Sequence, residues 1–150
     1  MTRTKNTSRS VRAIVGLYRQ FEQVARDSDI SLAQYRMMLF LRSGPQRAGS
    51  IAAAGAVKKP TVSAMLGHLR TKGWIADTSD PADGRVVAVS LTKAGKARME
   101  AFETALANSM AKLAPHTDLA GVHAALGELY IGMAESQEQR LKDVERKILG

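Results

Sequence analysis

Hydrophobic positions recur along this chain with two different periods, and the change between them marks its organisation. Val11, Ile14, Tyr18, Phe21 and Ala25 are spaced three and four residues apart, which predicts a helix with one apolar seam, ended by Asp27-Ser28-Asp29. Ser31-Leu32-Ala33-Gln34 is a capping-box sequence, with Ile30 and Tyr35 placed to pack across the helix start. The helix it opens contains Met37 to Leu41, apolar on every side and so expected to be wrapped by other elements, and Gly44-Pro45 closes it. A short helix of alanine and glycine, Ile51 to Gly55, comes next and suits a close helix crossing. A further helix begins near Pro60, a residue tolerated in a first turn because its missing N–H would have no partner there. Val62, Met65, Leu66 and Leu69 form its apolar face, and Gly73 stops it just after Arg70 and Lys72.

Beyond Gly73 the period shortens. Trp74 to Thr78 and the β-branched run Val86 to Leu91 read as strands, with Asp83-Gly84 as a hairpin turn in which both residues tolerate positive φ. Gln46 to Gly49 fits a minor third strand of the same sheet. Thr92 then caps a long helix through Met99, Phe102, Leu106, Met110 and Leu113, broken at Pro115. Thr117-Asp118 starts the last helix, whose near-heptad stripe runs Leu119, Val122, Leu126, Leu129, Met133, Gln137, Leu141, Val144 and Ile148. The predicted fold class is mainly α with a small β-hairpin wing: a winged helix-turn-helix with helices added at both ends. One domain of 150 residues is expected, with 31–96 as the winged region and 9–28 and 97–150 as dimerisation helices. Residues 1–8 read as a loose arm in which Arg3 and Lys5, with Arg9 just beyond, can reach phosphates.

Charge sharpens this picture. Residues 31–96 hold ten Lys/Arg against three Asp, whereas residues 97–150 hold six against eight acids. No acid at all occurs between Asp29 and Asp77, a stretch that includes Arg36, Arg42, Arg47, Lys58, Lys59, Arg70 and Lys72. A block of one sign in the middle of a helix-turn-helix suits a polyanion. Opposite its apolar stripe, the Pro60 helix carries Ser63, Ala64, Gly67 and Thr71, flanked by Thr61 and His68. Such a face, small and hydroxylated, can approach a duplex closely.

Several segments together resemble one family. They are Ile51-Ala52, Pro60-Thr61-Val62-Ser63, Gly73-Trp74-Ile75, the tip Asp80-Pro81-x-Asp83-x-Arg85, and Leu91-Thr92-x-x-Gly95, and they resemble the MarR (multiple-antibiotic-resistance regulator) family. The likeness spans the chain in length and helix order and is sharpest from Gln34 to Lys96. It implies a homodimeric transcription regulator whose second helix enters a major groove while the wing meets the flanking minor groove. Three positions depart from the pattern: Ala64 where many relatives carry a base-reading arginine, Ala82 where the wing often has arginine, and Ala56 where glycine usually makes the turn. The expected DNA contacts are Lys58, Lys59, Pro60, Thr61, Ser63, Ala64, His68, Lys72, Asp83 and Arg85, with Asp83 holding the Arg85 guanidinium in place. The resemblance also implies a cleft between the terminal helices and the winged helix, often taking aromatic acids or other amphipathic compounds. Tyr18, Tyr35, Met38 and Phe40 are its candidate liners and Arg12 or Arg42 its carboxylate partners.

Other chemistry is thinly represented. Without cysteine there is no disulfide, thiol sensor or thiolate metal site. No phosphate loop or nucleophile elbow is present, so no enzyme is expected. His116 and His123, with Asp118 nearby, are the one set worth testing for a metal, but no metal or cofactor is expected. No signal-like or membrane-length apolar run occurs, so a cytoplasmic, nucleoid-associated protein is expected. The resulting reading is a homodimeric repressor that binds a palindromic operator on double-stranded DNA and is released by a small amphipathic or aromatic ligand. The rival is a sequence-neutral architectural DNA-binding protein, in which backbone charge supplies most of the affinity.

Overall fold

Six α-helices and one hairpin make up the computed structural model, which describes the backbone of residues 2–55 and 57–149 and the side chains of 6–55, 57–139 and 142. The expectations for Arg3, Lys5, Ala56, Leu141, Val144 and Ile148 concern positions or side chains outside the described residues. The order is α1 (Thr2–Arg26), α2 (Leu32–Leu39), α3 (Ala48–Gly55), α4 (Lys59–Thr71), β1 (Ile75–Ser79), β2 (Val87–Leu91), α5 (Lys93–Ala111) and α6 (Leu119–Leu149), with a 3-10 turn at Ala114–His116. The expected class, mainly helical with a hairpin wing, holds.

The periodic residues are the buried ones. Val62, Leu66 and Leu69 of α4 are at most 2% exposed, and they meet Ile30, Met38, Leu41, Ile51 and Phe102 in one core. Ser31 forms the complete capping box with Gln34, and Thr92 Oγ1 accepts the Gly95 N–H at 3.0 Å. Asp118 Oδ1 accepts the Gly121 N–H at 3.1 Å and so caps α6. The alanines and Gly55 of α3 allow the close crossing: a side chain at Gly55 would meet Val57 and the Phe40 ring at 3.3 to 3.4 Å.

Some expectations shift. No loose arm is found at residues 2–8, because α1 runs back to Thr2. No glycine or proline interrupts that stretch, and extending an existing helix costs far less than nucleating one. α2 stops at Leu39, and Leu39 itself is 36% exposed rather than wrapped. The third strand is reduced to one bridge, with the Gln46 and Val89 N–H groups each donating to the other's carbonyl at 2.9 Å.

Gly73 has φ +71°, which lets α4 end and the chain turn straight into Trp74. The Trp74 carbonyl accepts the Thr92 N–H at 3.0 Å, and the Gly73 carbonyl accepts the Thr92 hydroxyl at 2.7 Å. Gly95, buried in the first turn of α5, lies directly on this backbone: a Cβ there would stand 2.8 Å from the Trp74 carbonyl carbon and closer to its oxygen.

The outer helices are only half covered. Phe21, Val24 and Ala25 of α1 pack on the core, but Val11, Ile14, Val15 and Tyr18 are 53–56% exposed. In α6, Leu119, Val122 and Leu126 are half-buried, whereas Leu129, Tyr130, Ile131 and Met133 are 49–72% exposed. Among the described residues no helix is long and apolar enough to cross a membrane.

The close approach at Gly95 has a measurable consequence. Gly95→Ala forces two backbones apart and is expected to cost about 1–3 kcal/mol in urea unfolding, the scale of an overpacked core. Gly67→Ala, with nothing within 4 Å of its Cβ, is expected to gain up to about 1 kcal/mol from helix propensity. Equal stabilities for the two variants would contradict the close packing.

Candidate nucleic-acid interface

Because α4 buries Val62, Leu66 and Leu69, the opposite side of the helix faces solvent. Lys58, Lys59, Pro60, Thr61, Ser63, Ala64 and His68 are all exposed, as the helical spacing predicts, and Gly67 between them is half-buried. α4 starts without a side-chain cap: Lys58 occupies that position in extended conformation and offers no hydroxyl or carboxylate. The positive end of the helix dipole therefore coincides with two lysines and remains open to an anion.

The wing is built differently from a two-residue hairpin turn. Gly84 does not adopt positive φ; among the described glycines only Gly44 and Gly73 do. The loop is held instead by aspartates. Asp80 Oδ1 accepts the N–H groups of Ala82 at 2.8 Å and Asp83 at 3.0 Å, and Asp83 Oδ1 accepts the Arg85 N–H at 3.1 Å. Asx turns of this kind let an aspartate carry the turn, so glycine's conformational freedom is not needed. Arg85 extends from the tip with its side chain 94% exposed and its Nε donating to Asp83 Oδ1 at 3.3 Å. Asp83 thus touches the guanidinium as expected, while also fixing the Arg85 backbone.

In space the cations are less uniform than in sequence. Arg47 Nε meets Asp80 Oδ2 at 2.7 Å, Arg70 meets Asp77 at 2.7 Å and Arg42 lies 3.8 Å from Glu103. Lys72 is drawn away from the α4 face: its ammonium sits 4.3 Å over the Trp74 ring and donates to the Asp29 carbonyl. Arg98 approaches the same ring at 6.0 Å and pairs with Asp29. Arg36, Lys58 and Lys59 show no acidic partner among the described residues.

The candidate ligand residues do not form one site. Met38 is fully buried core, and Phe40 packs beside Gly55. The Tyr35 hydroxyl donates to Glu103 Oε1 at 2.9 Å, and its ring packs edge-on against Phe102 with centroids 5.4 Å apart. Burial, then the bond to Glu103, raises the Tyr35 hydroxyl well above the ordinary tyrosine range. Arg42 joins Tyr35 on Glu103, whereas Arg12 is exposed on α1. Tyr18 alone of the six lines the cavity of about 560 Å³ between α1 and the start of α2, with Glu22, Arg26, Asp29, Ser31 and Gln34. Among the described residues no three His, Asp or Glu side chains gather as a metal site, and Asp118 is occupied in capping α6.

The pairing of Arg47 with Asp80 is not announced by the sequence. Asp80 was visible as the first residue of the wing motif, but its partner lies 33 positions earlier, where periodicity carries no information.

Comparison with known proteins agrees with this architecture. The model described as "MarR family" matches residues 28–86. The HTH-type transcriptional repressor NicR of Pseudomonas putida is 29% identical over 119 residues, covering 79% of this chain and 75% of that protein. The transcriptional regulator Tm0710 of Thermotoga maritima is 25% identical with a TM-score of 0.66, covering 88% of this chain and 96% of that one. The transcriptional repressor CouR, solved bound to a 23-mer DNA duplex, is 23% identical with a TM-score of 0.63, covering 82% of this chain and 87% of its own.

The loop geometry yields a titration. The Arg47 hydrogen bond, followed by the N–H of Ala82, lowers Asp80 from an ordinary 3.8 to about 2. A depressed carboxylate contributes stability that is complete above its unfolded value and lost as pH falls through its folded one. Carboxyl NMR is expected to show Asp80 titrating near 2, with the loop loosening only as pH falls from about 4 toward 2. An unshifted Asp80 contradicts the pairing.

Proposed function

We propose that this chain, whose residues 28–86 match the model described as "MarR family", is a homodimeric transcriptional repressor of that kind. It binds a palindromic operator, setting the exposed face of α4 in a major groove and Arg85 in the adjacent minor groove. The observation that carries this reading is the outward face of α4, small, hydroxylated and uncapped, with Lys58 and Lys59 at its positive end. A long guanidinium at the wing tip, 94% exposed and held by Asp83 through its Nε, supplies the second contact, since arginine suits narrow A·T-rich minor grooves with enhanced negative potential. NicR, a named repressor, and the DNA-bound CouR support carrying the activity over. A protein with this task works in the cytoplasm, on the nucleoid.

The bare halves of α1 and α6 support the dimer. Apolar stripes of that extent mark interfaces, and a twofold pair would present two α4 helices to half-sites about one helical turn apart. A small amphipathic or aromatic ligand completes the proposal. CouR of Rhodococcus jostii was also solved with p-coumaroyl-CoA, and here the cavity beside Tyr18 offers a place for an effector. Linkage then requires the ligand to weaken DNA binding by the factor that DNA weakens ligand binding.

Fluorescence anisotropy with a duplex selected from random DNA tests the core of the proposal. Affinity is expected to fall steeply with salt, each phosphate contact adding about 0.9 to the slope of log K against log salt. Arg85→Ala is expected to leave the melting temperature unchanged and cost about 1–3 kcal/mol of affinity. A flat salt dependence overturns the nucleic-acid reading.

Light scattering tests the assembly. The unmodified protein is expected to be a dimer. Leu129→Glu, at a position half-exposed on the single chain, is expected to give a folded monomer. A dimer that survives the charge places the interface elsewhere.

A further inference from the structure

Asp80 is bonded to Arg47, Ala82 and Asp83, and it lies in the wing that the proposed function sets against a polyanion. By charge alone a carboxylate there opposes DNA binding. Its side chain is only 11% exposed, and both oxygens are engaged: Oδ2 with Arg47 Nε at 2.7 Å, Oδ1 with the N–H groups of Ala82 and Asp83. Its own N–H donates to the Val86 carbonyl at 2.8 Å, and Val86 N–H donates to the Asp83 carbonyl at 2.9 Å, which closes the loop.

Arg47 is a fixed point. Its carbonyl accepts the Ile51 N–H at 3.1 Å, so its backbone opens α3, and its neighbour Gln46 is bridged in both directions to Val89 of β2. A continuous chain of contacts therefore runs from the start of α3 through Arg47 to Asp80. It continues through the Asp83 backbone to the Asp83 carboxylate and ends on Arg85. Without it, the tip would be joined to the helices mainly through its two strands.

We propose that Asp80, paired with Arg47, is the positioning residue that fixes the wing to the start of α3, so that Arg85 and α4 meet the duplex at one set spacing. It acts on DNA through Arg85 and touches no base or phosphate itself. The proposal rests on the DNA-reading function above. It separates from plain electrostatics in sign: losing a negative charge beside DNA should tighten binding, whereas losing the position of Arg85 should weaken binding to a specific duplex.

A double-mutant cycle on the full chain tests it, using Asp80→Asn, Arg85→Ala and the pair on the selected duplex at one salt concentration, with a random duplex alongside. Asparagine can still accept the two loop N–H groups, so the melting temperature is expected to hold. Asp80→Asn is expected to weaken selected-duplex binding while leaving random-duplex binding equal or tighter. The cost of Arg85→Ala, about 5–150-fold in the parent, is expected to shrink to about threefold or less on the Asp80→Asn background, since coupled residues depart from additivity. Arg47→Ala also removes a cation and so weakens both duplexes by charge, but it is expected to reproduce the shrunken cost of Arg85→Ala, and it covers the case in which Asp80→Asn fails to fold. Tighter selected-duplex binding by Asp80→Asn, or an undiminished cost of Arg85→Ala on that background, overturns the proposal alone. A parent protein that binds no duplex overturns the DNA reading with it.

Discussion

The backbones of Trp74 and Gly95 meet with no room for a side chain between them, and the relative placement of α4, the wing and α5 follows from that approach. Gly73 turns the chain out of α4 with a left-handed residue, and Trp74 begins the return toward the hairpin. Thr92, at the far end of that hairpin, ties back to both residues and caps α5 in the same move. The Trp74 ring is then buried under Lys72 and Arg98, and both cations reach to Asp29 between α1 and α2. Four elements thus share one junction, and a polar face on α4 becomes part of a rigid surface.

That junction also alters the electrostatics. A linear count of charge makes residues 30–76 uniformly basic, but folding brings in Asp77, Asp80 and Glu103 and turns Lys72 inward over Trp74. Arg42, Arg47 and Arg70 therefore pair within the fold, whereas Arg36, Lys58 and Lys59 show no acidic partner among the described residues and Arg85 extends into solvent beside Asp83. On the proposed function, fewer cations are then free for phosphates than the linear count suggests. The exposed pair of Asp83 and Arg85 adds little to stability, since surface ion pairs contribute about 0–1 kcal/mol. On the proposed function its value lies in orienting Arg85.

Much of this was legible in the sequence, for a physical reason. Val62, Leu66 and Leu69 announce a helix by their spacing because that spacing is what lets them share a core. The Ser31–Gln34 box and the Thr92 cap were equally visible, since capping is decided within three residues. Gly95 could be flagged as part of a family motif, but the carbonyl it lies against was invisible until the strands were placed. The same holds for Arg47 with Asp80 and for Tyr35 with Glu103, pairs set by tertiary approach. The Asp83-Gly84 turn misled because the aspartates of the loop, bonding to their own backbone, made positive φ unnecessary. α1 reaches further back than its apolar spacing predicts, because propagation from an established helix carries on through polar residues.

On the proposed function, the exposed face of α4 and the Arg85 tip read a duplex together, in fixed relation. Hydroxyl-radical footprinting of the protein on a selected duplex tests it most directly. It predicts two protected windows about one helical turn apart, roughly 10–10.5 base pairs, each flanked by a minor-groove protection that vanishes in Arg85→Ala while the central windows remain. Uniform protection without that phasing, or flanks indifferent to Arg85, would contradict it.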